Sequence, residues 1–162
     1  MIEEKIVSRE NARETLRAWQ EAGKKVVFTN GCFDLIHAGH VRYLEKARAL
    51  GDKLIVAVND DDSVRQLKGP DRPIQPVTDR AMIIAALASV DLVVVFPELT
   101  TDNLLNLLRP DVLAKGGDYT METLVASERD FVKSYGGEVI IIRRLDSTST
   151  SGLVERIRGK DS

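Results

Sequence analysis

Thr29-Asn30-Gly31-Cys32-Phe33-Asp34-Leu35-Ile36-His37-Ala38-Gly39-His40 is the stretch on which the reading of this chain turns. Lys24-Lys25-Val26-Val27-Phe28 precedes it as a short, β-rich apolar run. Val41 to Leu50 follows with helical spacing and stops at Gly51. The order is therefore strand, tight glycine-containing loop, helix. Such a junction offers unpaired backbone N–H groups and the positive end of a helix dipole, a combination that favours phosphate. Both histidines of the chain, His37 and His40, fall here. With a helix starting near Gly39, the two imidazoles lie close together around its first turn, where they can donate hydrogen bonds to phosphate oxygens. Gly31 and Gly39 remove side-chain bulk where a ligand or the backbone must approach closely. A plainer reading makes Asp34 an N-cap and His40 an ordinary first-turn residue. Cys32, Asp34, His37 and His40 are also possible zinc ligands, but no second cysteine exists to close a structural set.

Working outward, Leu54-Ile55-Val56-Ala57-Val58 is apolar without alternation, as expected of a strand covered on both faces of a parallel sheet. The following Asp60-Asp61-Asp62 reads as a helix start ahead of Ser63 to Leu67. Lys68-Gly69-Pro70-Asp71-Arg72-Pro73-Ile74-Gln75-Pro76 holds three prolines and a glycine and predicts a mobile basic loop. A phosphate contact or a plain solvated connection explains it equally well. Thr78 is the expected N-cap of an apolar helix over 81–88, either deeply packed or part of a subunit interface. Asp91 to Phe96 is a third strand, and Thr100-Thr101 caps a helix that ends before Pro110. Asp111 to Ala114 is a fourth strand. Lys115-Gly116-Gly117 follows it, a lysine beside exposed backbone and a second anion-binding arrangement. A helix over 122–135, closed by Gly136-Gly137, leads to a fifth strand at 138–142. Five consecutive hydroxyl residues, Ser147 to Ser151, then precede a last helix. They serve as caps and exceed what capping needs. Upstream, Ser8 is the expected N-cap of a first helix carrying Ala12, Leu16 and Trp19.

Five strands alternating with helices predict an α/β fold, a single doubly wound domain with a five-stranded parallel sheet. The domain spans 1–162, with an N-terminal helix in 1–23 and the α/β core in 24–158. Neither a P-loop nor a G-x-G-x-x-G fingerprint is present. At 162 residues, 43% hydrophobic and 30% charged, the composition is that of a soluble globular domain. A net charge of −2 gives no support for a nucleic-acid partner. One cysteine excludes an intrachain disulfide and suits a reducing compartment. The start lacks signal-peptide regions and the apolar runs are too short to cross a bilayer, so a cytoplasmic protein without a membrane partner is expected.

The stretch fills every specified place of T-x-G-x-F-D-x-x-H-x-G-H, and so resembles the cytidylyltransferase-like nucleotidyltransferases. Lys68-Gly69, Arg72-Pro73-Ile74, Asp79-Arg80, Pro110 to Leu113, Lys115 to Tyr119 and the hydroxyl run resemble one branch, the adenylyltransferase of ADP-heptose synthesis in its separate-chain form. Two departures stand out: the hydroxyl run lacks a preceding glycine, and the region Val125-Ala126-Ser127 lacks a glycine expected within it. The resemblance implies a Rossmann-like fold and transfer of an adenylyl group from ATP to D-glycero-β-D-manno-heptose 1-phosphate, with Mg2+ carried by the triphosphate and a homo-oligomeric assembly. It implies His37, His40 and Lys115 as catalytic residues. It assigns Thr29, Asn30, Gly31, Cys32, Phe33, Gly39, His40, Ser149, Thr150 and Ser151 to the nucleotide. Lys68, Arg72 and Lys115 would take substrate phosphate, with Asp34, Arg80 and Asp118 in support. A glycerol-3-phosphate-type cytidylyltransferase and a non-catalytic nucleotide-binding module remain the alternatives.

Overall fold

The computed structural model of the chain describes residues 1–117, 119–143 and 148–159. Asp118 and Ser147 therefore lie outside the described residues. After a 3-10 turn at Ile2–Lys5 come β1 (Ile6–Val7), α1 (Arg9–Glu21), β2 (Val26–Gly31), α2 (Ala38–Arg48), β3 (Lys53–Asn59), α3 (Asp61–Lys68) and α4 (Val77–Ala86). The order continues with β4 (Leu92–Phe96), α5 (Asp102–Leu108), β5 (Val112–Lys115), α6 (Ala126–Ser134), β6 (Glu138–Ile141) and α7 (Thr150–Ile157). The strands form one parallel sheet in the order β1-β4-β3-β2-β5-β6.

The sheet has six strands, where the sequence predicts five. The extra one is β1, which sets Ile6 opposite Val93 and Val7 opposite Val94. Two residues are too few for a hydrophobic period to register. The N-terminal segment consequently contributes a sheet edge as well as a helix.

Successive side chains of a strand face opposite ways, and the apolar runs fill two separate cores. Val27, Leu54, Val56, Val58, Val93 and Val112 pack with Leu44 and Ala47 of α2 and Ala81, Ile84 and Ala85 of α4. Val26, Phe28, Ile55, Ala57, Val94, Phe96 and Leu113 pack with Ala12 and Leu16 of α1, Leu104, Leu105 and Leu108 of α5, and Val132 of α6. This double cover explains why β3 carries no polar residue between Lys53 at its start and Asn59 at its end.

Several caps follow the sequence. Ser8 Oγ accepts from Asn11 N–H at the start of α1, and Asp60 Oδ1 accepts from Ser63 N–H at the start of α3. Two do not. Pro76, not Thr78, occupies the N-cap of α4, and it offers no side-chain cap. Thr101 precedes α5 without capping it through its side chain. α4 is also less enclosed than its composition suggests, since Met82 is 38% exposed. α6 is shorter than expected and begins at Ala126. Among the described residues no helix is long and apolar enough to cross a membrane.

From β2 the chain winds outward through β3 to β4, then returns to place β5 on the other flank of β2. The winding reverses between β2 and β5, where open α/β sheets hold their ligands outside the strands' carboxyl ends. The turn between α2 and β3 fixes the spacing of this centre. A Cβ on Gly51 would stand 2.6 Å from the Lys25 carbonyl oxygen, which accepts from the N–H groups of Asp52 and Lys53. We expect Gly51→Ala to lower stability by about 1–3 kcal/mol, read as a reduced urea midpoint at unchanged slope.

Candidate active site

β2 ends at Gly31 and the chain turns sharply through Phe33, which adopts a left-handed φ of 49°. Strain of this kind in a non-glycine residue is characteristic of functional loops. Gly31 is required here, because a Cβ on it would lie 2.9 Å from the Phe33 ring. The loop then delivers His37 to the N-cap of α2. His37 Nδ1 accepts from Gly39 N–H at 3.1 Å, and His40 Nδ1 accepts from His37 N–H at 3.3 Å. The two rings form a reciprocal cap, with centroids 4.0 Å apart. An Nδ1 that accepts a hydrogen bond carries no proton, so each neutral ring bears its proton on Nε2. The histidines thus satisfy the first turn of α2 through Nδ1.

Across the winding reversal, Lys115 at the end of β5 donates to Asn30 Oδ1 at 2.8 Å, joining the ends of β5 and β2. Its ammonium also lies 3.0 Å from Glu128 Oε2 of α6. These elements surround a cleft of about 620 Å³, within the size range of small-molecule sites. Asn30, Gly31, Cys32, Phe33, Asp34, His37, Gly39, His40, Lys68, Arg72, Lys115, Ser149, Thr150 and Ser151 all line it. Six lysines and arginines line it in all, Arg42, Lys46 and Arg143 being the others, against the carboxylates Asp34 and Glu128. In a chain of net charge −2 this concentration gives the cleft a positive potential that favours anions.

Thr29 and Arg80 belong to the supporting structure rather than the lining. Thr29 is wholly buried, and its hydroxyl is 2.7 Å from Tyr43 Oη beneath the cleft. Burial pushes the Tyr43 phenol up to about 12, against the opposing effect of the Thr29 hydrogen bond. The Tyr43 ring packs on Gly116, where a Cβ would stand 2.5 Å from it. Arg80 is fully buried. Its guanidinium donates to Gln75 O at 3.0 Å, Cys32 O at 2.6 Å and Asn59 O at 2.8 Å, and pairs with Asp61 at 2.7 Å.

Asp34 is no N-cap. It is buried, and its carboxylate accepts from the N–H groups of Ile74 and Gln75 while Arg72 lies 3.6 Å away. The proline-rich loop is therefore fastened by its backbone, contrary to the mobile loop expected. Lys68 at its start is exposed. Ser149 caps α7 by accepting from Gly152 N–H, and Thr150 donates its hydroxyl to Leu35 O, which ties α7 to the loop after β2.

Sequence reasoning missed Asn59, Tyr43, Thr101 and Glu128. Asn59 was the most accessible of these, as a lone amide ending an apolar strand. It is buried on the cleft wall, with Nδ2 donating to Ser63 Oγ and Glu98 O. Glu128 carries no sequence signal, because a glutamate in a first turn is ordinary for a helix.

Residues 28–156 match the family described as cytidylyltransferase-like. The chain belongs to that family. It is 54% identical over 153 residues to the bifunctional protein HldE of Syntrophotalea carbinolica, covering 94% of this chain and 31% of that protein. It is 56% identical over 137 residues to the bifunctional protein HldE of Pseudomonas savastanoi pv. phaseolicola, covering 85% and 28%. The chain thus spans less than a third of the length of these two relatives. Among solved structures, the lipopolysaccharide core biosynthesis protein of Thermoplasma volcanium superposes with a TM-score of 0.64 at 28% identity, over 78% of this chain and all of that one. A pantoate-beta-alanine ligase from Francisella tularensis shares the fold at a TM-score of 0.61 and 16% identity, over 91% of this chain and 69% of that one.

Two outcomes follow from the site. Lysine cannot span four acceptors as the Arg80 fork does, so Arg80→Lys should cost about 2–4 kcal/mol, measurable by chemical denaturation. Burial pushes the Cys32 thiol up, opposed by Lys68 and Arg80. Little thiolate then exists at neutral pH, and iodoacetamide at pH 7.5 should alkylate Cys32 at least about tenfold more slowly than free cysteine.

Proposed function

We propose that the chain transfers the adenylyl group of ATP to D-glycero-β-D-manno-heptose 1-phosphate, giving ADP-heptose and pyrophosphate for lipopolysaccharide core synthesis. The observation that carries the chemistry is the imidazole pair capping α2 at the winding reversal, set in a cleft lined by six cations. The heptose acceptor rests on the motif blocks shared with that branch, together with the likeness to the HldE proteins and the lipopolysaccharide core biosynthesis protein.

In this reading an oxygen of the sugar 1-phosphate attacks the α-phosphorus of ATP. The new P–O bond forms as the bond to the β-phosphate bridging oxygen breaks, and pyrophosphate leaves with that electron pair. The attacking phosphate is already ionised near neutral pH, so no general base is needed and catalysis rests on positioning and charge stabilisation. His37 and His40 donate from Nε2 to oxygens that gain charge at the α-phosphorus. The backbone N–H groups of Cys32 and Phe33 hold the same phosphate. Lys68, Arg72 and Lys115 neutralise the acceptor phosphate or the triphosphate. Ser149 and Ser151 offer hydroxyls to the β/γ end. Thr150, whose hydroxyl is taken by Leu35 O, offers its backbone N–H.

Magnesium enters as part of the nucleotide. The two cleft carboxylates already face backbone N–H groups or cations. A cytoplasmic setting agrees with the single cysteine, and self-association agrees with the exposed Met82 on α4.

The decisive assay is pyrophosphate release with magnesium, crossing ATP, CTP and GTP against heptose 1-phosphate and glycerol 3-phosphate. Turnover confined to ATP and heptose 1-phosphate is expected. Preference for CTP and glycerol 3-phosphate would move the acceptor, and binding without turnover would leave a nucleotide-binding module. His40→Ala should lower kcat by about 10²–10⁴-fold while the protein stays folded; full turnover by this variant would remove His40 from the mechanism.

A further inference from the structure

Glu128 is 2% exposed and sits in the first turn of α6, and its carboxylate lines the cleft. Oε1 is held from one side, accepting from Thr101 N–H at 2.9 Å and from the Thr101 hydroxyl at 2.5 Å. Oε2 has no hydrogen-bond partner among the described residues and stands 3.0 Å from Lys115 Nζ. Lys115 is itself buried, and its hydrogen bond runs to the neutral amide of Asn30. Glu128 is therefore the anion that balances the Lys115 ammonium.

The arrangement has a direction. Thr101 lies between β4 and α5, so it fixes the carboxylate from outside the cleft and leaves one oxygen turned to the lysine. An ammonium has three donors. Asn30 takes one of them. Charge attraction from Glu128 limits where the others can go, and it offsets the desolvation that burial imposes on the cation. A lysine on four rotatable bonds, left without this partner, would lose the fixed position that a phosphate contact requires.

We infer that Glu128 is a positioning residue for adenylyl transfer, one that acts on the reaction only by holding the Lys115 ammonium against Asn30 for contact with a substrate phosphate. The inference rests on the proposed function above. It adds a residue that none of the sequence motifs marks, on α6.

The test is a double-mutant cycle on kcat and KM for ATP and heptose 1-phosphate, with melting temperatures recorded for every variant. Glu128→Gln keeps an acceptor for Thr101 but places an amide donor against the ammonium. It should lower kcat/KM by about 10²-fold. Lys115→Met should lower it by at least as much. Adding Glu128→Gln to Lys115→Met should change kcat/KM by less than about threefold, and should recover melting temperature, because a lone buried charge is no longer left behind. Glu128→Asp retains the charge one methylene short, and should keep more activity than Glu128→Gln. If Glu128→Gln does not fold, Glu128→Asp carries the same cycle. Equal losses in both lysine backgrounds would overturn the inference, since Glu128 would then act through something other than Lys115. So would an unchanged Glu128→Gln enzyme. Absence of turnover by the unaltered protein is a separate result and would overturn the function instead.

Discussion

The guanidinium of Arg80 is the interaction on which the site's construction depends. It is fully buried, and its acceptors belong to four different segments: the Cys32 carbonyl after β2, the Asn59 carbonyl at the end of β3, Gln75 in the proline-rich loop, and Asp61 in α3. Carbonyls at strand ends have no partner within the sheet, and burying them unpaired is costly. One rigid fork resolves this for two neighbouring strands and sets the height of the loop beside them. Asp34 completes the arrangement by receiving the N–H groups of Ile74 and Gln75. The floor of the cleft is thus a set of crossed polar ties, in which an arginine reaches out to the loop and an aspartate receives it.

This construction leaves the opposite wall to a different device. β5 meets β2 through only two Cα pairs in register, Val27 with Val112 and Phe28 with Leu113. Beyond them the strand ends diverge and the cleft opens. The Lys115–Asn30 hydrogen bond spans that gap, and Glu128 and Thr101 stand behind it. A winding reversal makes room for a ligand by geometry alone. Here the room is bordered on one side by the helix start at His37 and on the other by a lysine held between two acceptors. Charge concentrates where the sheet cannot close.

Much of this was legible from residue order. Val26 to Phe28 followed by Gly31, His37 and His40 fixes a strand, a tight turn and a helix start, and the unbroken apolar run at 54–58 fixes a sheet covered on both faces. Two anion-binding arrangements, at the start of α2 and after β5, are legible in the same way. Illegible parts share a physical cause: they depend on partners distant in sequence. Thr101 reads as a helix cap because serine and threonine usually cap, yet its hydroxyl serves Glu128, 27 residues away. Thr29 reads as a ligand contact because it opens the signature, but it lies underneath, bonded to Tyr43. The loop at 68–76 reads as mobile because of its prolines, whereas Asp34, about 40 residues earlier, fastens it. β1 is invisible because two residues carry no period.

The imidazole caps of α2 combine properties that other side chains would divide. Lysine or arginine would bring positive charge but has no acceptor for a backbone N–H, so the first turn would fray. Serine or aspartate would cap as well, yet neither projects a donor to the far side of a rigid ring. Histidine alone separates the two functions across a flat five-membered frame, with an acceptor on one edge and a donor on another. Each ring is therefore a structural member that, in the proposed reaction, also meets the substrate. Protonating Nδ1 would add the charge that a phosphate favours and remove the bond that keeps the ring in place.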